Sequence, residues 1–257
     1  MRVKKIVFFL TLCIFFLSTT GFGYSADVAM DNDWESRKAF VEENIISIGS
    51  QGPDKVDEWL IANGFQEVEY IKTLEPLSSP GSVVLRNIQG YYDSVAKKYI
   101  VKGWWSWQGI HLVDSTAGAL DGVSLAMCQT NWNPVTGYIF TSNPAGIAVY
   151  DQDYTHYPHA GGASKIDKSG IVYTFQDAWQ GSKYVGYHGQ VWFWLNSTPS
   201  QLPIYIKMDF EHTWTNANLS SFGFSWPVGS APTINMVFNV TPANFKIANQ
   251  ITLSSWH

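Results

Sequence analysis

Lys207-Met208-Asp209-Phe210-Glu211-His212-Thr213-Trp214 alternates from one residue to the next, with Lys207, Asp209, Glu211 and Thr213 on one parity and Met208, Phe210, His212 and Trp214 on the other. A period of two is the signature of a strand, because successive side chains leave the backbone on opposite faces. The same period governs the chain from Ser82 onward, interrupted by turn residues. Ten runs read as strands: Ser82–Gln89, Tyr99–Trp107, Gly122–Cys128, Gly146–Tyr150, Ile171–Gln176, Tyr187–Leu195, Pro203–Trp214, Ser220–Ser225, Ile234–Asn239 and Phe245–Ser254. No helical pattern separates them, which excludes a parallel α/β sheet. The expected fold is mainly β, a two-sheet antiparallel β-sandwich, jelly-roll-like and larger than an immunoglobulin-type domain.

Upstream the period changes to that of helices. Asp31-Asn32-Asp33 offers an N-cap to a helix whose Trp34, Val41, Ile45 and Ile48 share a face and which ends at Gly49. Pro53 suits the first turn of a second helix, Val56, Trp59 and Leu60 form its stripe, and Asn63-Gly64 supplies the stop. Two helices of this size bury too little surface to fold alone, so the segment is expected to dock on the β body. Farther upstream, Arg2, Lys4 and Lys5 precede an apolar run from Ile6 to Leu17, followed by Gly21, Gly23 and Ser25. That order is a secretory leader, and the run is too short to span a bilayer. The expected organisation is a signal peptide over 1–25, an acidic helical segment over 26–76 and an aromatic-rich β-sandwich over 77–257, with secretion as the destination.

Charge supports the same division. Residues 26–75 carry 12 acidic and 4 basic side chains, whereas residues 76–257 carry 9 of each. A neutral body beside an acidic segment has no basic stripe for phosphates, which disfavours nucleic acid as a partner. The chain has 2 cysteines, and Cys13 lies in the leader, so Cys128 has no intrachain disulfide partner after cleavage. Cys128 closes the apolar run Val123–Met127 and reads as a small core hydrophobe rather than a nucleophile. Nucleophile-elbow, P-loop and G-x-G-x-x-G motifs are all missing.

Aromatic residues are the main functional signal. Of 12 Trp, 10 lie beyond Pro80, concentrated in Trp104-Trp105-Ser106-Trp107 and Trp192-Phe193-Trp194. Trp104 shares a strand face with Lys102, Ser106 and Gln108, which is how a sugar-stacking ring is presented among hydrophilic neighbours. Gln190–Asn196 is apolar on both faces, so one face fills the core and the other meets a ligand or a second layer. Trp104, Tyr187, Trp192 and Trp194 are therefore the candidate ligand platform, for an extracellular glycan or cell-envelope polymer. Burial of these strands between a sheet and the helical segment is the alternative.

Two further constellations carry chemistry. Asp209 and Glu211 share a face about 6.6 Å apart along the strand, a spacing two carboxyls use on a glycosidic bond. A solvent-facing strand with Lys207 as ion partner explains the same residues, and His212 reads as a hydrogen-bonded core histidine. The long loop from Asp151 to Gly170 holds Asp151-x-Asp153-x-x-His156-x-x-His159, whose donors suit calcium or zinc if the loop folds back on Gly161-Gly162. Otherwise it is a polar surface loop, and no cofactor is required. The expectation is a non-catalytic binding protein for a neutral extracellular carbohydrate. A hydrolase using Asp209 and Glu211, or a metal in the 151–159 loop, is one alternative, and a membrane- or partner-binding surface protein is the other.

Overall fold

Strand Lys98–Trp107 is buried along both faces, and such a strand has to be covered twice. The computed structural model covers it with a second sheet on one side and two helices on the other. It describes residues 34–71, 83–108, 120–131, 133, 135, 144–159, 163–167, 169–195, 203–213, 219–225, 232–238 and 244–254. The expected leader and the expected boundary between residues 76 and 77 lie outside these residues. The elements are α1 (Trp34–Gly49), α2 (Pro53–Ala62), β1 (Phe65–Glu67), β2 (Tyr70–Ile71), β3 (Val83–Asp93), β4 (Lys98–Trp107), β5 (Leu120–Gln129), β6 (Ala145–Asp151), β7 (His156–Tyr157) and β8 (Lys165–Asp167). There follow β9 (Gly170–Gln176), β10 (Ala178–Gln180), β11 (Lys183–Leu195), β12 (Ile204–Thr213), β13 (Leu219–Ser225), β14 (Thr233–Phe238) and β15 (Asn244–Leu253).

The first sheet runs β1-β3-β4-β11-β6-β7, with β10 also paired to β11, and the second runs β2-β15-β12-β5-β9-β8. Their pairings are antiparallel throughout, and among the described residues β13 pairs only with β14. This is the expected β-sandwich, although the strand order by itself does not establish a jelly roll. Alternation sets the core. Val101, Trp105, Val191 and Phe193 of the first sheet face Leu125, Ile171, Met208 and Phe210 of the second, all fully buried.

Glycines let the sheets and rings approach. A Cβ on Gly103 would stand 2.6 Å from Met208 Sδ of the opposite sheet. Gly189 pairs with Trp105 and Gly146 with Trp192, and a Cβ at either would lie about 2.1–2.2 Å from the indole of its partner. The two indoles therefore lie flat across the neighbouring strand.

The helical segment docks on the outer face of the first sheet. Pro53 sits in the first turn of α2, Asn63 caps its last turn, and Gly64 at φ +90° reverses the chain into β1. Val41, Ile45, Val56 and Leu60 pack on Tyr91, Ile100, Trp104, Tyr150, Trp192 and Trp194 as a second apolar cluster. Arg37 on α1 is anchored by a two-pronged ion pair to Asp93, at 2.9 and 3.1 Å, and also donates to Asn63 O. These links fix the helices as a third layer.

Candidate functional site

The candidate platform comes together and is covered. Trp104 and Trp194 are 0% exposed and Trp192 is 1% exposed beneath α1 and α2. The polar edges of two of them are used by the same layer: Glu42 Oε1 accepts from both Trp192 Nε1 and Trp194 Nε1 at 3.0 Å, while Trp104 Nε1 is enclosed and finds no acceptor among the described residues. Gln190 donates to Ile45 O, Tyr150 donates to Ile46 O, and Asp57 receives the Tyr91 hydroxyl and the buried Lys102 ammonium. An open stacking surface on these three indoles is corrected to a helix-docking face, because the apolar stripe of the helices covers the same rings. Tyr187 differs, standing half-buried at the end of the sheet.

Asp209 and Glu211 do share the outer face of β12, as alternation requires. That face is closed rather than solvent-facing. β14 lies over it, Lys207 donates to Pro232 O, and Lys246 donates to Ile234 O. Asp209 pairs with Lys207 at 2.7 Å and Glu211 with Lys246 at 2.9 Å. Burial pushes the Asp209 carboxyl up and Lys207 draws it back. Cys128 is also buried on the outer side of the second sheet, its thiol pushed up to about 12 by burial.

The metal-candidate loop is dispersed. Asp151 Oδ1 accepts the amides of Asp153 and Thr155, each at 2.8 Å, closing a tight turn. Although burial pushes its carboxyl up, those amides and Lys183 hold Asp151 below the ordinary carboxylate range. Lys183 bridges Asp151 and Asp153, while His156 packs on Tyr150 and His159 bonds Thr174 O at 2.9 Å on β9. The histidines thus serve different elements, and the ammonium of Lys183 occupies the carboxylates.

A different cluster forms at the end of the sandwich where β4, β9 and β12 finish and β5 begins. Asp121 on β5 and His212 on β12 hold inward-facing positions, and Asp177 follows β9; all three are 0% exposed. His212 Nδ1 lies 2.8 Å from Asp121 Oδ1 and 3.3 Å from Asp177 Oδ2. Thr213 N donates to Asp121 Oδ1 at 3.2 Å, and the Tyr184 hydroxyl donates to Asp177 Oδ2. Trp107 meets the imidazole edge-on at 4.9 Å. Burial opposes charge on His212, but Asp121 and then Asp177 outweigh it and lift the imidazole to about 10. Burial and the facing Asp177 push the Asp121 carboxyl well up. Asp121 Oδ2 and Asp177 Oδ1 are enclosed and accept no hydrogen bond from the described residues.

A row of rings borders this end. Trp179 on β10 meets Tyr184 at 5.8 Å, Tyr184 meets Tyr187 at 6.5 Å, and Tyr187 meets His188 at 4.7 Å, all edge-on. Tyr154 then stacks on His188 at 4.0 Å, held there in a turn where its φ is +64°. A left-handed tyrosine is a strained backbone position.

The sequence offered a usable sign of Asp121 and His212, since each occupies the inward parity of an apolar strand. Asp177 and Trp179 sit around a break between short strands, where no period exists to read. No protein-family model matches the chain, and comparison with curated proteins finds no match. Among solved structures, one described as the complete structure of manganese lipoxygenase of Gaeumannomyces graminis and the partial structure of zonadhesin of Komagataella pastoris matches. It aligns over 75% of this chain and 78% of its own at 10% identity and a TM-score of 0.25, a likeness too low to carry an argument.

Proposed function

We propose that this is an exported, non-catalytic binding protein for a neutral extracellular carbohydrate or cell-envelope polymer, contacting it through the aromatic rim of Trp179, Tyr187 and Tyr154. Exposure of Trp179 carries the reading: among the described tryptophans it is the one classed as exposed, at 47%, while the others are buried or half-buried. A fold that encloses Trp104, Trp105, Trp107, Trp192 and Trp194 under helices and a second sheet leaves this ring exposed against Tyr184, which in turn meets the half-buried Tyr187. Sugar C–H faces pack on such rings without ion pairing, which matches a β body with balanced charge. The surroundings of Asp209 and Glu211 lend a hydrolase no support, since both carboxylates are covered and ion-paired.

The test is sedimentation with chitin, cellulose and peptidoglycan, and affinity electrophoresis in neutral glucans. The wild type is expected to bind at least one of these, and Trp179→Ala to weaken that binding about tenfold or more while leaving thermal unfolding unchanged. Loss of a ring–sugar contact worth 1.4 kcal/mol is a tenfold change in affinity. No binding across the panel, or equal binding by Trp179→Ala, overturns the reading.

A further inference from the structure

The enclosed cluster at the end of the sandwich holds more acidic than basic groups. Two carboxylates and one imidazole lie together at 0% exposure, and no Lys or Arg among the described residues pairs with either carboxylate. Fully deprotonated, the group carries two negative charges, which either two protons, on His212 and a carboxyl, or one divalent cation can neutralise. Charge without a partner in an interior is strongly unfavourable. A divalent cation bound to neutral His212 would bring the group to neutrality.

The geometry agrees with the charge. One ligand atom from each of Asp121, Asp177 and His212 lies within 4.8 Å of the others. Imidazole Nδ1 stands 3.3 Å from Asp177 Oδ2, the roughly 3.3 Å ligand-to-ligand edge implied by bonds of about 2.0–2.1 Å around a tetrahedral ion, while its 2.8 Å contact with Asp121 Oδ1 is a hydrogen bond that a metal would replace. A second, independent feature is the pair of carboxylate oxygens left without partners, Asp121 Oδ2 and Asp177 Oδ1, both enclosed. The supporting contacts are those that orient metal ligands: Thr213 N and the Tyr184 hydroxyl each hold one carboxylate, and Trp107 limits the swing of the imidazole.

We propose that Asp121, Asp177 and His212 form a metal site for a divalent cation of zinc type, loaded as the sandwich closes. Imidazole with two carboxylates selects a cation that takes mixed nitrogen and oxygen ligands, and it disfavours calcium and magnesium, which prefer oxygen alone. Because the site is enclosed, exchange requires opening of this end of the fold. Zinc therefore behaves as a structural ion. The inference is independent of the glycan reading and uses different residues.

The test unfolds the full chain in chelator, refolds it separately with zinc, manganese or calcium, removes free ion and measures bound metal by mass spectrometry together with thermal unfolding. Zinc is expected to remain at about one per chain and to raise the melting temperature by several degrees. Calcium is expected to do neither. Refolded wild type that holds no zinc and melts at the metal-free temperature overturns the proposal. Asp177→Asn and His212→Gln are expected to lose the ion; either one, folded by circular dichroism yet still loaded, overturns it. Where those variants do not fold, X-ray absorption of the zinc-loaded wild type decides. Nitrogen and oxygen neighbours with imidazole scattering support the site, and sulfur in the first shell places the ion elsewhere.

Discussion

Gly146 shows how little room separates the large rings from the backbone. A methyl group there would meet the Trp192 indole at 2.2 Å, so Gly146→Ala must either displace the ring from beneath α1 or bend β6. The expected cost is about 1–3 kcal/mol of stability, read from the denaturant midpoint. Glu42 is the matching polar position, accepting both indole N–H groups on one oxygen and the Lys38 ammonium on the other at 2.7 Å. Glu42→Ala leaves two buried donors unsatisfied and is expected to destabilise by about 2–4 kcal/mol, with a shift in tryptophan emission. His188 supplies an acid-side pH dependence. Burial, with Arg86 nearby, pulls its imidazole from 6.5 down to about 4, while Ser106 Oγ lies 2.7 Å from its Nδ1. Below pH 6.5 the unfolded chain takes up a proton that the folded chain refuses until about pH 4. This contribution is full above 6.5 and is lost as pH falls through that window. Proton titration by NMR is expected to find His188 neutral at pH 5.5, and an imidazolium signal there would contradict the account.

The strands show what alternation can and cannot reveal. All ten runs read from the sequence correspond to strands, and Lys98–Trp107 and Ile204–Thr213 begin and end within a residue of their expected limits. β1, β2, β7, β8 and β10 were not legible, because each has two or three residues and so no full period. The two helices were legible from their stripes, from Pro53 and from Asn63-Gly64. Which layer covers which face was not. Alternation assigns Trp104 and Trp192 to the side opposite the core but cannot say whether water, ligand or helix lies beyond. Arg37 tests the answer. Arg37→Ala would strand Asp93, a fully buried carboxylate, and is expected to cost about 3–5 kcal/mol and to raise protease sensitivity within residues 34–64 before the sandwich is cut.

Across the molecule the two apolar clusters use opposite faces of one sheet, so the first sheet is the shared wall between a sandwich and a helical layer. Compartment, ligand and leader removal concern properties that the fold does not encode. No helix among the described residues is long and apolar enough to cross a membrane. The enclosed acid–histidine cluster could not be assembled from the sequence, since Asp121, Asp177 and His212 come from positions far apart in the chain and Asp177, in the break between β9 and β10, has no periodic neighbour. The helical layer is itself a long-range construction: Glu42 meets Trp192 across 150 residues of chain and Trp194 across 152. On a ribosome α1 and α2 would therefore emerge long before the surface that receives them has been synthesised. Their apolar stripes need a temporary shelter during that wait, and the closing of the helices onto the indoles becomes a late event of biogenesis, readable as the final change in fluorescence when the denatured chain is returned to buffer.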